Sequence, residues 1–158
     1  MPDGMKRVFV TGLTDVTTTR KEELGTIRRE GNKTYKYVKF LKTTATVAVV
    51  AGNVVFYSGF AASEVTADIT DIEVAGLAAG HMAAAWDGVT TSYGWIQVRG
   101  LVTNPTDVTA GANGNALTAI GAGDKTLDVS AAVTDHCVAQ LLDDSTGAQT
   151  ILATNYPL

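Results

Sequence analysis

The chain has 158 residues, a net charge of −4 and only 18% charged residues, a length that fits one domain with a core of its own. One cysteine, Cys137, excludes an internal disulfide and fits assembly in a reducing cytoplasm. No apolar run approaches the ~20 residues of a membrane helix, and so few charges are unusual for a free monomer surface, which points to an interface.

The charge is segregated. Residues 1–42 hold ten basic residues against five acidic, a net of +5, and the remainder holds Arg99 and Lys125 against eleven acids, a net of −9. A basic arm on an acidic body is the expected arrangement, with the arm either facing an acidic partner or nucleic acid, or simply solvated.

Residues 1–23 read as an extended basic arm. Met5-Lys6-Arg7 before Val8-Phe9-Val10 has the outline of a signal peptide, but the apolar run stops at Thr11-Gly12 without a cleavage site. Thr17-Thr18-Thr19 disfavours helix, and Arg20 to Glu23 allow at most one helical turn. The arm is too poor in large apolar groups to order by itself and is expected to be mobile in the free protein.

Residues 24–158 read as a single β-rich domain. Leu24 to Ile27, a polar connection turning at Gly31-Asn32, and Thr34 to Leu41 come first. Tyr35 and Tyr37 share one face, and Lys36, Val38 and Phe40 the other. The mixed faces predict an edge strand whose lysines discourage further pairing. Val47 to Val50 and Val54 to Tyr57 predict buried strands around Ala51-Gly52-Asn53. Glu64 to Ala67, Ile72 to Val74 and His81 to Trp86 are further candidates, with Gly76 and Gly80 between them.

Ser92 to Gly100 is the strongest strand signal, and its spine is Tyr93, Gly94, Trp95, Ile96 and Val98. Alternation puts Tyr93, Trp95, Gln97 and Arg99 on one face and Ile96 and Val98 on the other. Two apolar faces over half its length predict a central strand. Gly94, between two bulky rings, marks a close approach by another group. Asn104-Pro105 ends this unit.

The second half repeats the first faintly: 46–103 and 108–156 each carry a β-rich approach, an Ala-Gly turn and an apolar exit. Leu127 to Val129 is short, and Gly121 to Lys125 a turn. Ala139 to Leu142 and Ile151 to Ala153 make a hairpin about Asp144 to Gly147. For 129–141, strand plus loop competes with a helix, since Val129, Val133, Cys137 and Leu141 fall on one helical face. Many short strands with glycine turns predict an all-β fold, a small barrel or sandwich.

No chemistry-bearing constellation stands out. His81 and His136 are the only histidines, too few for a His-rich metal site. His136 and Cys137 are adjacent and so diverge in a strand or helix; a buried thiol beside a loop histidine is the expectation. Asp68, Asp71 and Glu73 lack the pattern of a calcium loop and read as solvated, and Asp143-Asp144 starts a turn. No phosphate loop is present. Trp86, Tyr93 and Trp95 are expected in packing and not in stacking on a sugar or base. Neither catalytic residues, nor a metal, nor a cofactor is expected.

Leu24-Gly25-Thr26-Ile27-Arg28, the Gly-Asn hairpin with Tyr35-Lys36-Tyr37-Val38-Lys39, the Val50-Ala51-Gly52-Asn53-Val54-Val55-Phe56-Tyr57 strand pair, Val74-Ala75-Gly76 and above all Tyr93-Gly94-Trp95-Ile96-Gln97-Val98-Arg99-Gly100 run in order. Together they resemble the capsid decoration, or cement, proteins of tailed bacteriophages over residues 24–158. The resemblance implies a small β module on the outside of a phage head, homo-oligomeric and often trimeric, that binds the major capsid protein. It implies no active site; no small-molecule substrate and no membrane are expected, and nucleic acid is not the expected partner. The arm lies outside that pattern; Lys6, Arg7, Val8, Phe9, Val10, Arg20 and Lys21 are its candidate partner contacts, through strand addition and ion pairs. Another phage subunit, of tail or head fibre, is the alternative, and from a different class a carbohydrate- or nucleic-acid-binding β module.

Overall fold

The computed structural model describes residues 8–42, 47–58, 63–69, 77–106, 108 and 111–158. The predicted strand 72–74, the turn at Gly76, the acids Asp71 and Glu73, and the arm residues Lys6 and Arg7 lie outside these. The fold is all-β: a closed five-strand barrel with further strands outside it.

The chain enters through β1 (Ile27–Glu30) and turns at Gly31-Asn32 into β2 (Lys33–Phe40). The residues read as a polar connection, Arg28 to Glu30, are thus part of a strand. β3 (Val54–Tyr57), β4 (Glu64–Thr66), β5 (Ala78–Met82) and β6 (Ser92–Asn104) follow. The barrel runs β2-β4-β3-β5-β6 and closes by antiparallel pairing of β6 with β2; among the described residues only β2 and β4 are parallel neighbours. The second sheet is β10-β9-β7-β8, made of β7 (Ala116–Thr118), β8 (Asp128–Val129), β9 (Cys137–Asp143) and β10 (Gln149–Ala153). It joins the barrel through β10, which pairs with residues 100–104 of β6.

The Ser92–Gly100 strand is central, as its two apolar faces predicted, but it does not end at Gly100. It continues to Asn104 and serves both sheets. The junction needs two local departures from a regular strand. The β2–β6 register slips where Tyr35 faces Gln97 but Thr34 faces Arg99, a bulge that leaves Val98 without an opposite number. Arg99 therefore stands opposite Thr34, which shares the parity of Lys36, and leaves the Tyr93–Trp95–Gln97 row to which strict alternation assigned it. Gly100 then adopts φ +98°, a conformation few L side chains tolerate, and a Cβ there would sit 2.9 Å from the Asn32 carbonyl oxygen. The Gln97 side-chain amide donates to the carbonyls of Arg99 and Leu101 across this corner, at 3.1 and 3.0 Å.

Three strand expectations need correction. β2 is no edge strand: β1 and β4 share one of its edges and β6 covers the other. Lys36, read as an edge guard, is 2% exposed and points at the Tyr57 hydroxyl. Val47 to Val50 is not a doubly buried strand; Val49 alone bridges to Trp86, with Ala48 and Val50 exposed. The strand placed at His81 to Trp86 lies instead at Ala78–Met82, because after Met82 the chain leaves the ladder to form the Val49–Trp86 bridge. Between β8 and β9 lies a loop, so residues 129–141 form strand plus loop.

The main core runs through both sheets, from Val38, Phe40, Phe56 and Ile96 in the barrel to Leu117, Leu127, Leu141 and Ile151 under the second sheet. Buried polar groups sit within it in bonded chains. Lys36 Nζ donates to the Tyr57 hydroxyl (3.1 Å), which donates to the Pro157 carbonyl (2.9 Å). Desolvation lowers the pKa of Lys36 and pushes that of Tyr57 up to about 12. His81 is fully buried; Nδ1 donates to the Gly52 carbonyl at 2.8 Å, so Nε2 is left as acceptor for the Tyr156 hydroxyl at 2.7 Å. Burial holds its pKa down at about 4, against the hydrogen bond to Gly52 that raises it.

A group with this depressed native pKa binds its proton in the unfolded chain first, near pH 6.5, so stability falls as pH drops from there toward 4. Between pH 7 and pH 5 the His81 contribution to that loss is about 2 kcal/mol. Urea unfolding at the two pH values, compared with His81→Gln, is expected to show a wild-type loss that exceeds the variant's by this amount; equal losses would refute a neutral buried imidazole.

Candidate interaction surface

One face of β2 and β6 lies outside the main core. Tyr35, Tyr37 and Trp95 form a second apolar cluster there, with Phe9, Leu13, Leu24, Ala83 and Tyr93 packed against it. The cover is the N-terminal segment. Thr17 exchanges two backbone hydrogen bonds with Tyr93, at 2.7 and 2.9 Å, along the edge of β6 that β5 leaves open. Gly94 permits the crossing: a Cβ there would lie 2.9 Å from the Phe40 ring and 3.1 Å from the Asp15 carbonyl oxygen. The close approach expected at this glycine is therefore made by a ring and by the arm itself.

Further out, Thr11 and Phe9 face inward. The Trp95 indole N–H donates to Thr11 Oγ1 at 3.0 Å, the partner a buried Trp requires. The Phe9 ring meets Trp95 edge-on at 5.6 Å, and Tyr37 meets it from another side at 5.2 Å. The Arg28 guanidinium lies 4.9 Å from the Phe9 centroid and 5.8 Å from that of Trp95, and donates to the Thr11 carbonyl at 2.9 Å. Arg28 also pairs with Glu30. Glu22 Oε1 accepts the N–H groups of Val10 (2.6 Å) and Thr11 (3.2 Å). Burial pushes the Tyr35 hydroxyl pKa up, with Glu30 adding and Arg28 opposing.

The alternation that seats Phe9 and Thr11 turns Val8 and Val10 outward, 84% and 73% exposed. Of the arm residues named as candidate contacts, these two present apolar surface to solvent, while Phe9 is half-buried on the protein itself. Arg20 and Lys21 are exposed, and the Lys21 backbone N–H donates to the Tyr37 hydroxyl at 3.2 Å. Residues 8–23 thus lie against the body in this structure, a placement that composition alone does not anticipate. What composition hides is that Phe9, Leu13 and Val16 each have an apolar site waiting. Thr11, Glu22 and Arg28 are not among the residues that the sequence singles out; the need of a buried indole for an acceptor calls for such a partner for Trp95 without saying which residue supplies it.

The remaining candidates are structural or solvated. Trp86 stacks on Phe40 at 5.4 Å and donates to the Thr90 carbonyl at 2.7 Å. Asp68, expected in solvent, is buried. Cys137 is half-buried at the start of β9, not buried as expected, with Sγ 3.7 Å from the Asp135 carbonyl oxygen. His136 is exposed and its Nε2 lies 3.4 Å from Asn155 Nδ2. Asp143 accepts from the Ser145 N–H and hydroxyl, as a turn-starting Asp does. Among the described residues no group of three or more His, Cys, Asp or Glu side chains is placed to hold a metal ion, and no helix is long and apolar enough to cross a membrane.

Comparison with protein-family models, with curated proteins and with solved structures finds no match to this chain.

Trp95 is 1% exposed, so Trp95→Ala is expected to cost about 3–5 kcal/mol. Thr11→Val keeps the shape but leaves the indole N–H without its acceptor, a cost of about 1–3 kcal/mol. Denaturant unfolding of both variants checks this, and a Thr11→Val midpoint equal to wild type would show that the segment is not held through Trp95.

Proposed function

We propose that the protein is a virion structural protein that binds the outer surface of a phage head and stabilises the capsid lattice as a decoration protein. Its partner is the major capsid protein, and it acts as a homo-oligomer, with a trimer favoured. The observation that carries this reading is the Tyr93–Gly100 stretch, whose resemblance to decoration proteins falls on the strand that organises the fold. The segment docked on that strand, with Val8 and Val10 turned to solvent, supports it. A β-branched strip docked at a barrel surface through Phe9 and Thr11 needs less ordering when it meets a partner, and can add to an exposed strand edge there. A protein that binds the assembled lattice and not free capsomers stabilises the lattice by mass action, without any catalytic step.

Val8→Asp/Val10→Asp is the discriminating variant, because neither side chain contributes to the core. It is expected to melt as wild type does but to bind undecorated heads at least about tenfold more weakly, the effect of about 1.4 kcal/mol. Co-sedimentation with heads and negative-stain imaging measure the occupancy. Failure of the wild-type chain to bind any heads would overturn the decoration role, and equal occupancy by the variant would move attachment away from the segment.

A further inference from the structure

Where the barrel meets the second sheet there is a groove of about 830 Å³, with Val98, Leu101, Leu152 and Tyr156 among its lining residues. Arg29, Thr34 and Arg99 also line it. The ladders set these three in a row: Arg29 opposes Thr34 between β1 and β2, and Thr34 opposes Arg99 between β2 and β6. Directly opposed residues share a face, so two guanidinium groups flank one hydroxyl, rooted about 10 Å apart across two strand spacings. The bulge at Val98 is what brings Arg99 to this side. Both arginines are exposed. Among the described residues neither side chain has an ion pair, whereas Arg28 is matched by Glu30 and Lys39 by Glu64. Two unmatched cations beside an apolar floor, on a body whose later residues are strongly acidic, form a local reversal of charge.

We propose that this groove binds an extended acidic segment of a partner protein, with carboxylates on Arg29 and Arg99 and apolar side chains on Val98, Leu101 and Leu152. In an extended chain, residues i and i+2 project to one side about 7 Å apart, a spacing two long arginine side chains can meet. Planar guanidinium groups match carboxylates with paired hydrogen bonds. The apolar floor suits the intervening side chains better than it suits a compact inorganic anion. An extended nucleic acid would call for a run of cations along its backbone, whereas the residues lining the groove include two, Arg29 and Arg99. This inference goes beyond the capsid-binding proposal and does not depend on it.

The test titrates the full-length ¹⁵N-labelled chain with the peptide acetyl-Asp-Val-Asp-Val-Asp-Val-amide. Expected are shifts at the Thr34 and Gly100 amides and at the Arg29 and Arg99 Nε–H signals, weakening as salt is added. Arg29→Gln/Arg99→Gln should bind at least about tenfold more weakly with an otherwise unchanged spectrum. Absence of these shifts, equal binding by the variant, or an equal response to the Asn-for-Asp peptide would overturn the proposal. So would inorganic phosphate that produces the same shifts and displaces the peptide. Should the double variant unfold, the contrast between the Asp and Asn peptides on the wild-type chain decides. Because no heads are present, a negative result here leaves the Val8/Val10 experiment standing.

Discussion

A strand in the middle of a sheet must find hydrogen-bond partners along both edges for its whole length, and β6 has thirteen residues to satisfy. Ser92 to Arg99 spend one edge on β2, and the other is shared by β5, the Ala83 N–H and Thr17. From Gly100 to Asn104 the strand belongs to β10. The bulge at Val98 and the left-handed turn of the backbone at Gly100 re-aim the strand, so that the barrel and the second sheet share one continuous core. The N-terminal segment is part of this accounting. Thr17 takes up β6 backbone that would otherwise face solvent at the barrel's edge, and Thr11 satisfies the indole just beyond it.

The interior of so small a barrel is not purely apolar. Lys36 and His81 are both buried, and each is tied to a tyrosine hydroxyl. An amine or imidazole in such a place costs less when its partners are fixed and when it can shed its charge; the pKa values of both groups are displaced downward by burial. The chain that supplies these partners is largely the C-terminal tail: Tyr156 bonds His81, and the Pro157 carbonyl receives Tyr57.

Much of this architecture was readable from residue pattern. The central place of Tyr93 to Val98, the doubly buried Val54 to Tyr57, the Gly31-Asn32 hairpin and the closing hairpin after Asp143 all follow from side-chain alternation and turn chemistry, which are local. What could not be read depended on partners distant in sequence. Lys36 looks like an edge guard until the Tyr57 hydroxyl is placed beside it, and Asp68 looks solvated although the folded chain buries it. The arm's own composition shows few apolar residues and nothing of the Trp95 face against which Phe9 and Leu13 lie. Arg99 was assigned to the wrong row because alternation assumes a regular ladder, and a bulge is a property of two strands, not of one. The interaction surfaces were legible only in outline: Val8 and Val10 were named, but the reason they are available, that Phe9 and Thr11 are held, required the fold.

The dependence of the barrel interior on Tyr156 and Pro157 has a consequence for synthesis. Closure already joins residues 34–40 to residues 92–99, a long-range pairing of the kind that slows folding because the loop must be ordered before contacts reward it. The final bonds to His81 and Tyr57 come later still. As the chain leaves the ribosome, the first strands can gather and even pair, but they enclose polar groups whose partners have not yet been made. Residues 156 and 157 are therefore needed to satisfy polar groups that strands far earlier in the chain bring inside.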